Sequence, residues 1–141
     1  MYQSRFTRSL EENPGARAVR TAVFMEEQGY KNEFDELDAV SVHLCLYDGD
    51  TGIACARAYP AGAGKYILGR VAVRKDYRGQ RLGSRLVTEM EDYLRREGAA
   101  EIELSAQLHA MKMYAALGYA EVPGSLHDDE GQPHMTMTKR L

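Results

Sequence analysis

Apolar and polar residues change rhythm several times along this chain, and each change marks an element. Tyr2 to Arg8 alternates weakly and predicts a first strand. Pro14 is placed to open a helix with Asn13 as its cap; Ala18, Val19, Ala22 and Val23 then form an apolar stripe ending near Met25. Ser41 to Tyr47 and Ile53 to Tyr59 read as two strands joined by the turn Asp48-Gly49-Asp50-Thr51-Gly52. After the loop Ala61-Gly62-Ala63-Gly64, Tyr66 to Val73 is a third apolar strand. A basic, glycine-containing loop from Arg74 to Gly83 follows, and the rhythm turns helical. Leu82, Leu86, Met90, Tyr93 and Leu94 recur at spacings of three and four, predicting one buried face. The outer face is expected to carry Glu91 with Arg95 and Asp92 with Arg96, and Gly98 to end the helix. Glu101 to Ser105 is a strand, and a short helix from about His109 to Leu117 stops at Gly118. Tyr119 to Val122 and His134 to Lys139 complete a strand pair across a polar loop around Asp128 to Gly131. A strand-helix-strand unit in the middle requires a parallel pair, in a sheet covered by helices on both faces.

Composition narrows the picture. With 141 residues, 44% of them hydrophobic, the chain suits one compact domain over 1–141 that buries its own core. A net charge of −3 argues against sequence-independent binding of nucleic acid. No apolar run approaches the roughly 20 residues that cross a bilayer, and Met1 to Leu10 lacks the apolar centre of a secretory signal, so no membrane partner and a cytoplasmic location are expected. Cys45 and Cys55 flank the Gly49 turn and fall on neighbouring strands; reduced core cysteines are the expectation there. The four histidines are scattered without metal-ligand spacing, so no metal is expected. Glu26, Glu27, Glu33, Asp35, Glu36 and Asp38, with Lys31 the one lysine among them, read as a solvated face or as a lure for a cationic amine.

The chemistry concentrates after the third apolar strand. Val71-Ala72-Val73 leads through Arg74-Lys75-Asp76-Tyr77 into Arg78-Gly79-Gln80-Arg81-Leu82-Gly83-Ser84. A tight glycine-bearing turn into a helix aims unpaired N–H groups and the positive end of the helix dipole one way, which suits a pyrophosphate. An ordinary solvated loop fits this stretch equally well. A second segment, Gln107-Leu108-His109-Ala110-Met111-Lys112-Met113-Tyr114-Ala115-Ala116-Leu117-Gly118-Tyr119, shifts the balance. Together the two resemble the GCN5-related N-acetyltransferases, whose acetyl-CoA loop reads Gln/Arg-x-x-Gly-x-Gly/Ala and whose second motif reads Asn-x-x-Ala-x-x-Phe-Tyr before Leu-Gly-Phe/Tyr. Arg78, Leu82 and Gly83 fit the first; Ala110, Tyr114, Leu117, Gly118 and Tyr119 fit the second. Arg81 stands where the first motif glycine usually sits, Gln107 replaces the asparagine and Met113 the phenylalanine. Arg20-Thr21-Ala22-Val23-Phe24-Met25-Glu26-Glu27-Gln28, with Glu36-Leu37-Asp38, His43 and His134-Met135, resembles the branch related to ElaA and YjcF. Acyl-homoserine-lactone synthases share the fold and a similar start, but are longer and usually carry tryptophan here, which this chain lacks.

The resemblance implies an α/β (α+β) acyl-CoA N-acyltransferase fold with a mixed, mostly antiparallel sheet. It implies acetyl-CoA as co-substrate and an amine of a small molecule or protein as acceptor, attacked directly with no covalent enzyme intermediate. Val71, Ala72, Val73, Arg78, Gly79, Gln80, Arg81, Leu82, Gly83, Ser84, Gln107 and Tyr114 are then expected to hold the coenzyme, and Tyr114 to protonate the departing thiolate. The third apolar strand contains no acid to serve as base. Glu27, His43 and His134 are the candidates, with His43 and Glu27 preferred. A helical backbone at Arg81 would spare it the strain of positive φ. A non-catalytic acetyl-CoA-binding sensor is the alternative function, and a homodimer is left open.

Overall fold

The structure is a computed structural model describing residues 1–141. Its framework is an eight-stranded sheet with β1 (Gln3–Thr7), β2 (Val42–Asp48), β3 (Thr51–Pro60), β4 (Lys65–Val73), β5 (Glu101–Gln107), β6 (Ala120–Glu121), β7 (His127–Asp129) and β8 (Gln132–Arg140). The spatial order is β1-β2-β3-β4-β5-β8-β6, with β7 also on β8. Only β4 and β5 pair in parallel, as the strand-helix-strand pattern requires. Helix α2 (Leu82–Arg96) makes that crossover.

Side chains alternate across the strands, so each face buries its own cluster. Leu44, Leu46, Ala54 and Ala56 meet Leu86, Met90 and Leu94 of α2 on one face. Cys45, Cys55 and Ala72 meet Val19, Val23 and Phe24 on the other. Cys45 and Cys55 stand opposite each other in the β2–β3 register as free, buried thiols. Burial pushes the Cys45 thiol up to about 12, so it is no ready nucleophile.

Four local readings change. Helix α1 (Pro14–Arg20) does open at Pro14, but Asn13 makes no side-chain cap; its amide donates to the carbonyls of Arg5 and His43, and its Oδ1 accepts from the Tyr47 hydroxyl. The apolar stripe continues through a π-helical segment, Thr21–Glu27, a widened turn often found at functional sites. Glu91 lies inside the protein, where its carboxylate accepts from Lys139 Nζ at 3.0 Å and from the Tyr119 hydroxyl at 2.8 Å, tying α2 to β8. The polar loop before β8 itself contains β7, and Glu130-Gly131, both at positive φ, turn the hairpin.

Two departures from regular pairing shape the centre. The β4–β5 pairing runs from Lys65 with Glu101 to Leu68 with Leu104 and then stops, so the strands diverge from Gly69 onward. On its other side β4 carries an extra residue, since Cys55 pairs Ala72 while Arg57 pairs Gly69, and Arg70 in this bulge adopts φ 53°.

Candidate active site

The diverging strands open onto a cleft of about 1030 Å³. One wall is β4 from Ile67 to Val73 with the loop and first turn of α2; the other includes Leu104, Ser105, Gln107 and the short helix α3 (Met111–Ala116). From Gly69 to Val73 the strand has a neighbour on the β3 side alone, leaving its other edge free to pair with a ligand.

The loop before α2 is a donor array. The N–H groups from Gly79 through Ser84 meet no acceptor in the protein, and no side chain caps the helix. Fifteen aligned peptide units stand behind them, adding positive potential at that end. Gly83 packs closely on α3: a Cβ there would lie 2.9 Å from Met113 Sδ, and the methionine side chain would have to shift. Arg81 is left-handed at φ 60°, ψ 29°, so the helical backbone expected for it is not present and the position is the kind that glycine fills. Arg78 locks the loop from behind, its Nε donating to the Val73 carbonyl at 2.9 Å and its two Nη groups to the Glu27 carboxylate at 2.7 Å each. That pairing, more than any other influence, draws the Glu27 carboxyl below its usual value.

Most expected site residues meet here. Glu27, Val71, Ala72, Val73, Arg78, Gly79, Arg81, Leu82, Gly83, Ser84, Gln107 and Tyr114 all line the cleft. Gln80 does not; its side chain accepts from the Tyr2 hydroxyl and donates to the Tyr77 carbonyl. His43 does not either: it is buried in β2, and its Nε2 donates to the Asp38 carbonyl at 2.9 Å. Tyr114 is 6% exposed, and its hydroxyl has no partner in the protein; burial raises its pKa well above the usual phenol value, so it stays protonated at neutral pH.

A third wall, where β3 and β4 meet the segment 33–38, brings in Arg57 and Arg70, which sequence reasoning did not single out. Arg20 binds Glu33 Oε2 at 2.8 Å and Asp38 Oδ1 at 2.7 Å; Arg57 binds Asp35 at 2.7 Å and Asp38 at 2.8 Å; Arg70 binds Glu33 at 2.8 Å. Three arginines from α1, β3 and β4 therefore consume the central carboxylates Glu33, Asp35 and Asp38, while Glu26 and Glu36 stay exposed. Burial works to raise Asp38, but hydrogen bonds from Arg20 and Arg57 outweigh it and hold the carboxyl at about 2. For Glu33 burial prevails, and its pKa rises despite Arg70 and Arg20. Two buried polar atoms of this wall lack partners, Arg57 Nε and the Tyr30 hydroxyl. Gly69, a glycine inside a strand pattern, is the sequence signal that marks the bulge placing Arg70 here.

A parallel pair that parts beside an uncapped helix N-terminus thus leaves a free strand edge and a row of N–H donors facing one cleft. Residues 8–119 match the acetyltransferase (GNAT) family, and the chain belongs to it. The uncharacterized N-acetyltransferase YjcF of Bacillus subtilis is 33% identical over 132 residues, covering 92% of this chain and 93% of its own. A solved protein from Lactobacillus plantarum is 33% identical with a TM-score of 0.90, covering 99% of this chain and 98% of its own. An acyl-CoA N-acyltransferase from Pseudomonas aeruginosa is 26% identical with a TM-score of 0.87, covering 99% of each chain. The protein is an acetyltransferase, as its family and relatives are, and nothing favours the sensor alternative. No helix is long and apolar enough to cross a membrane.

Proposed function

We propose that this protein moves the acetyl group of acetyl-CoA onto a primary amine of a small molecule or protein by direct attack. The observation that carries this reading is the uninterrupted row of unpaired N–H groups from Gly79 to Ser84, opening onto the same cleft as the free edge of β4. The residues present fit the coenzyme: the row suits its diphosphate, with Arg81 nearby as an unpaired cation, and the free edge from Gly69 to Val73 suits the amide groups of the pantetheine arm. When bound, acetyl-CoA supplies an activated acyl carbon and a thiol leaving group. An N–H near Val71 or Ala72 is the donor toward the acyl oxygen as it gains charge; the bulge leaves Val71 without a register partner on β3. Tyr114 lines the cleft with its proton in place and gives it to the sulfur as the C–S bond breaks. Neither cysteine is needed, since direct attack forms no acyl-enzyme and both thiols are buried.

The test is thiol release from acetyl-CoA over a panel of primary amines. Tyr114→Phe is expected to lower kcat by about 100-fold while acetyl-CoA still binds. Equal turnover in Tyr114→Phe would remove the tyrosine from this role.

A further inference from the structure

We infer that His134, at its Nε2, takes the proton from the acceptor amine; this rests on the acetyl-transfer reading above. An alkylamine reaches the cleft as an ammonium at neutral pH, because its pKa lies near 10, and it cannot attack until a base removes a proton. The carboxylates on the cleft wall are poorly placed for that work. Glu27 is held by Arg78, Glu33 by Arg20 and Arg70, and Asp35 by Arg57. Asp129 and Glu130 stand on the exposed β7–β8 hairpin, where Glu130 accepts from the Lys31 N–H.

Among the histidines, geometry separates His134 from the rest. His43 lies outside the cleft. His127 has both ring nitrogens engaged, Nδ1 with the Ser125 carbonyl and Nε2 with the Ser105 hydroxyl, each at 2.7 Å. His109 lines the cleft but is exposed, and no hydrogen bond orients its ring. His134 lines the cleft while 5% exposed, and its Nδ1 lies 2.9 Å from the Gln132 carbonyl. A carbonyl can only accept, so Nδ1 carries the hydrogen and the neutral ring keeps its lone pair on Nε2. Nothing in the protein bonds that nitrogen. His127, its register partner on β7, stacks against the ring at 5.9 Å, and Gln107 is its register partner on β5. The groups that titrate or carry charge around it are His127, His109, Tyr30, Asp129 and Glu130.

The proton balance closes. The ammonium gives one proton to Nε2, making an imidazolium, and the freed lone pair forms the C–N bond. The C–S bond breaks, and the sulfur takes the Tyr114 proton. The nitrogen sheds its remaining extra proton, which restores Tyr114 through solvent, and the imidazolium returns its own to water. The products are the amide, CoA thiol and one proton.

The experiment compares wild type, His134→Gln and His127→Gln by thiol release from mildly acidic to mildly alkaline pH, with acetyl-CoA binding followed by thermal shift. His134→Gln is expected to lose about 100-fold or more in kcat at neutral pH. It should bind acetyl-CoA as wild type does, lose the acid limb of the rate profile, and recover rate as rising pH deprotonates the amine unaided. His127→Gln should keep the acid limb. A His134→Gln protein with the wild-type rate and limb would overturn the assignment, as would a limb lost only in His127→Gln. A variant giving no acetyl-CoA thermal shift is replaced by His134→Asn, judged by the same criteria. Wild-type protein that releases no thiol with any amine would overturn the acetyl-transfer reading, and this inference with it.

Discussion

On the donor wall of the cleft, from Arg78 to Ser84, the binding groups belong to the main chain and lie within one loop. On the third wall Glu33, Asp35, Arg57 and Arg70 line the cleft with Arg20 and Asp38 behind them, the three arginines coming from separate elements. The donor wall is left unsatisfied, with N–H groups free and Arg81 in a left-handed conformation. The other wall pairs its charges with one another, although Arg57 Nε and the Tyr30 hydroxyl lack partners. A continuous row of unmet donors suits the charged ligand proposed above, whereas the paired charges form a scaffold. Glu33, Asp35 and Asp38 are thus an architectural part of the fold, and their paired charge is not available as an electrostatic lure.

The largest effect that would break this contrast is loss of an arginine from the paired wall. Arg20 is 1% exposed and bonds two carboxylates. Arg20→Met should destabilise the fold by about 3–5 kcal/mol in denaturant unfolding, because Glu33 and Asp38 would stay buried with fewer partners. A loss below about 1 kcal/mol would mean that the wall does not depend on its pairing.

Acid sharpens the contrast next. The Asp38 carboxyl is held at about 2, below its ordinary 3.8. A depressed folded-state value stabilises above the unfolded value and is lost as pH falls through the folded one. Asp38 should therefore cost the protein about 2 kcal/mol between roughly pH 4 and pH 2. Glu33, raised by burial, acts with the opposite sign: its contribution is present below its ordinary value and lost as pH rises through its folded-state value. Its gain falls above this window, whereas Asp35, where burial is outweighed by hydrogen bonds from Arg57, adds to the loss within it. Unfolding of wild type and Asp38→Asn across this range checks it, the variant being expected to show the shallower acid decline.

The donor wall gives the smallest effect. Arg81→Gly removes left-handed strain of about 1–2 kcal/mol but adds freedom to the unfolded chain, so stability should rise by less than about 1 kcal/mol in denaturant unfolding. Arg81→Ala keeps the strain and should not gain. Equal stability in both variants would show that the φ of 60° is not costly.

The two walls also differ in how far they could be read from the chain. Strand rhythm, Pro14, Gly98 and Gly118 placed most elements, and the Arg78-to-Ser84 turn exposed its chemistry because its parts are neighbours in sequence. The pairing of Arg20 with Glu33 and Asp38 could not be seen that way, since it depends on how α1, β3 and β4 approach one another. Glu91 was read as a surface charge from its Arg95 partner, but the Lys139 and Tyr119 that hold it inside come from distant parts of the chain. Arg70 follows a glycine in a strand, a signal of a bulge but not of its direction. His43 and His134 were equivalent as letters; only the strand faces separate a histidine bound to the Asp38 carbonyl from one at the cleft.

The central claim is that the main chain of one loop grips the coenzyme between two diverging strands. A crystal structure with acetyl-CoA tests it most directly. The account predicts diphosphate oxygens within hydrogen-bonding distance of N–H groups between Gly79 and Ser84, the acyl carbonyl beside Val71 or Ala72, and the Tyr114 hydroxyl facing the sulfur. Diphosphate seated on another surface, or the acyl group outside the gap between β4 and β5, would contradict it.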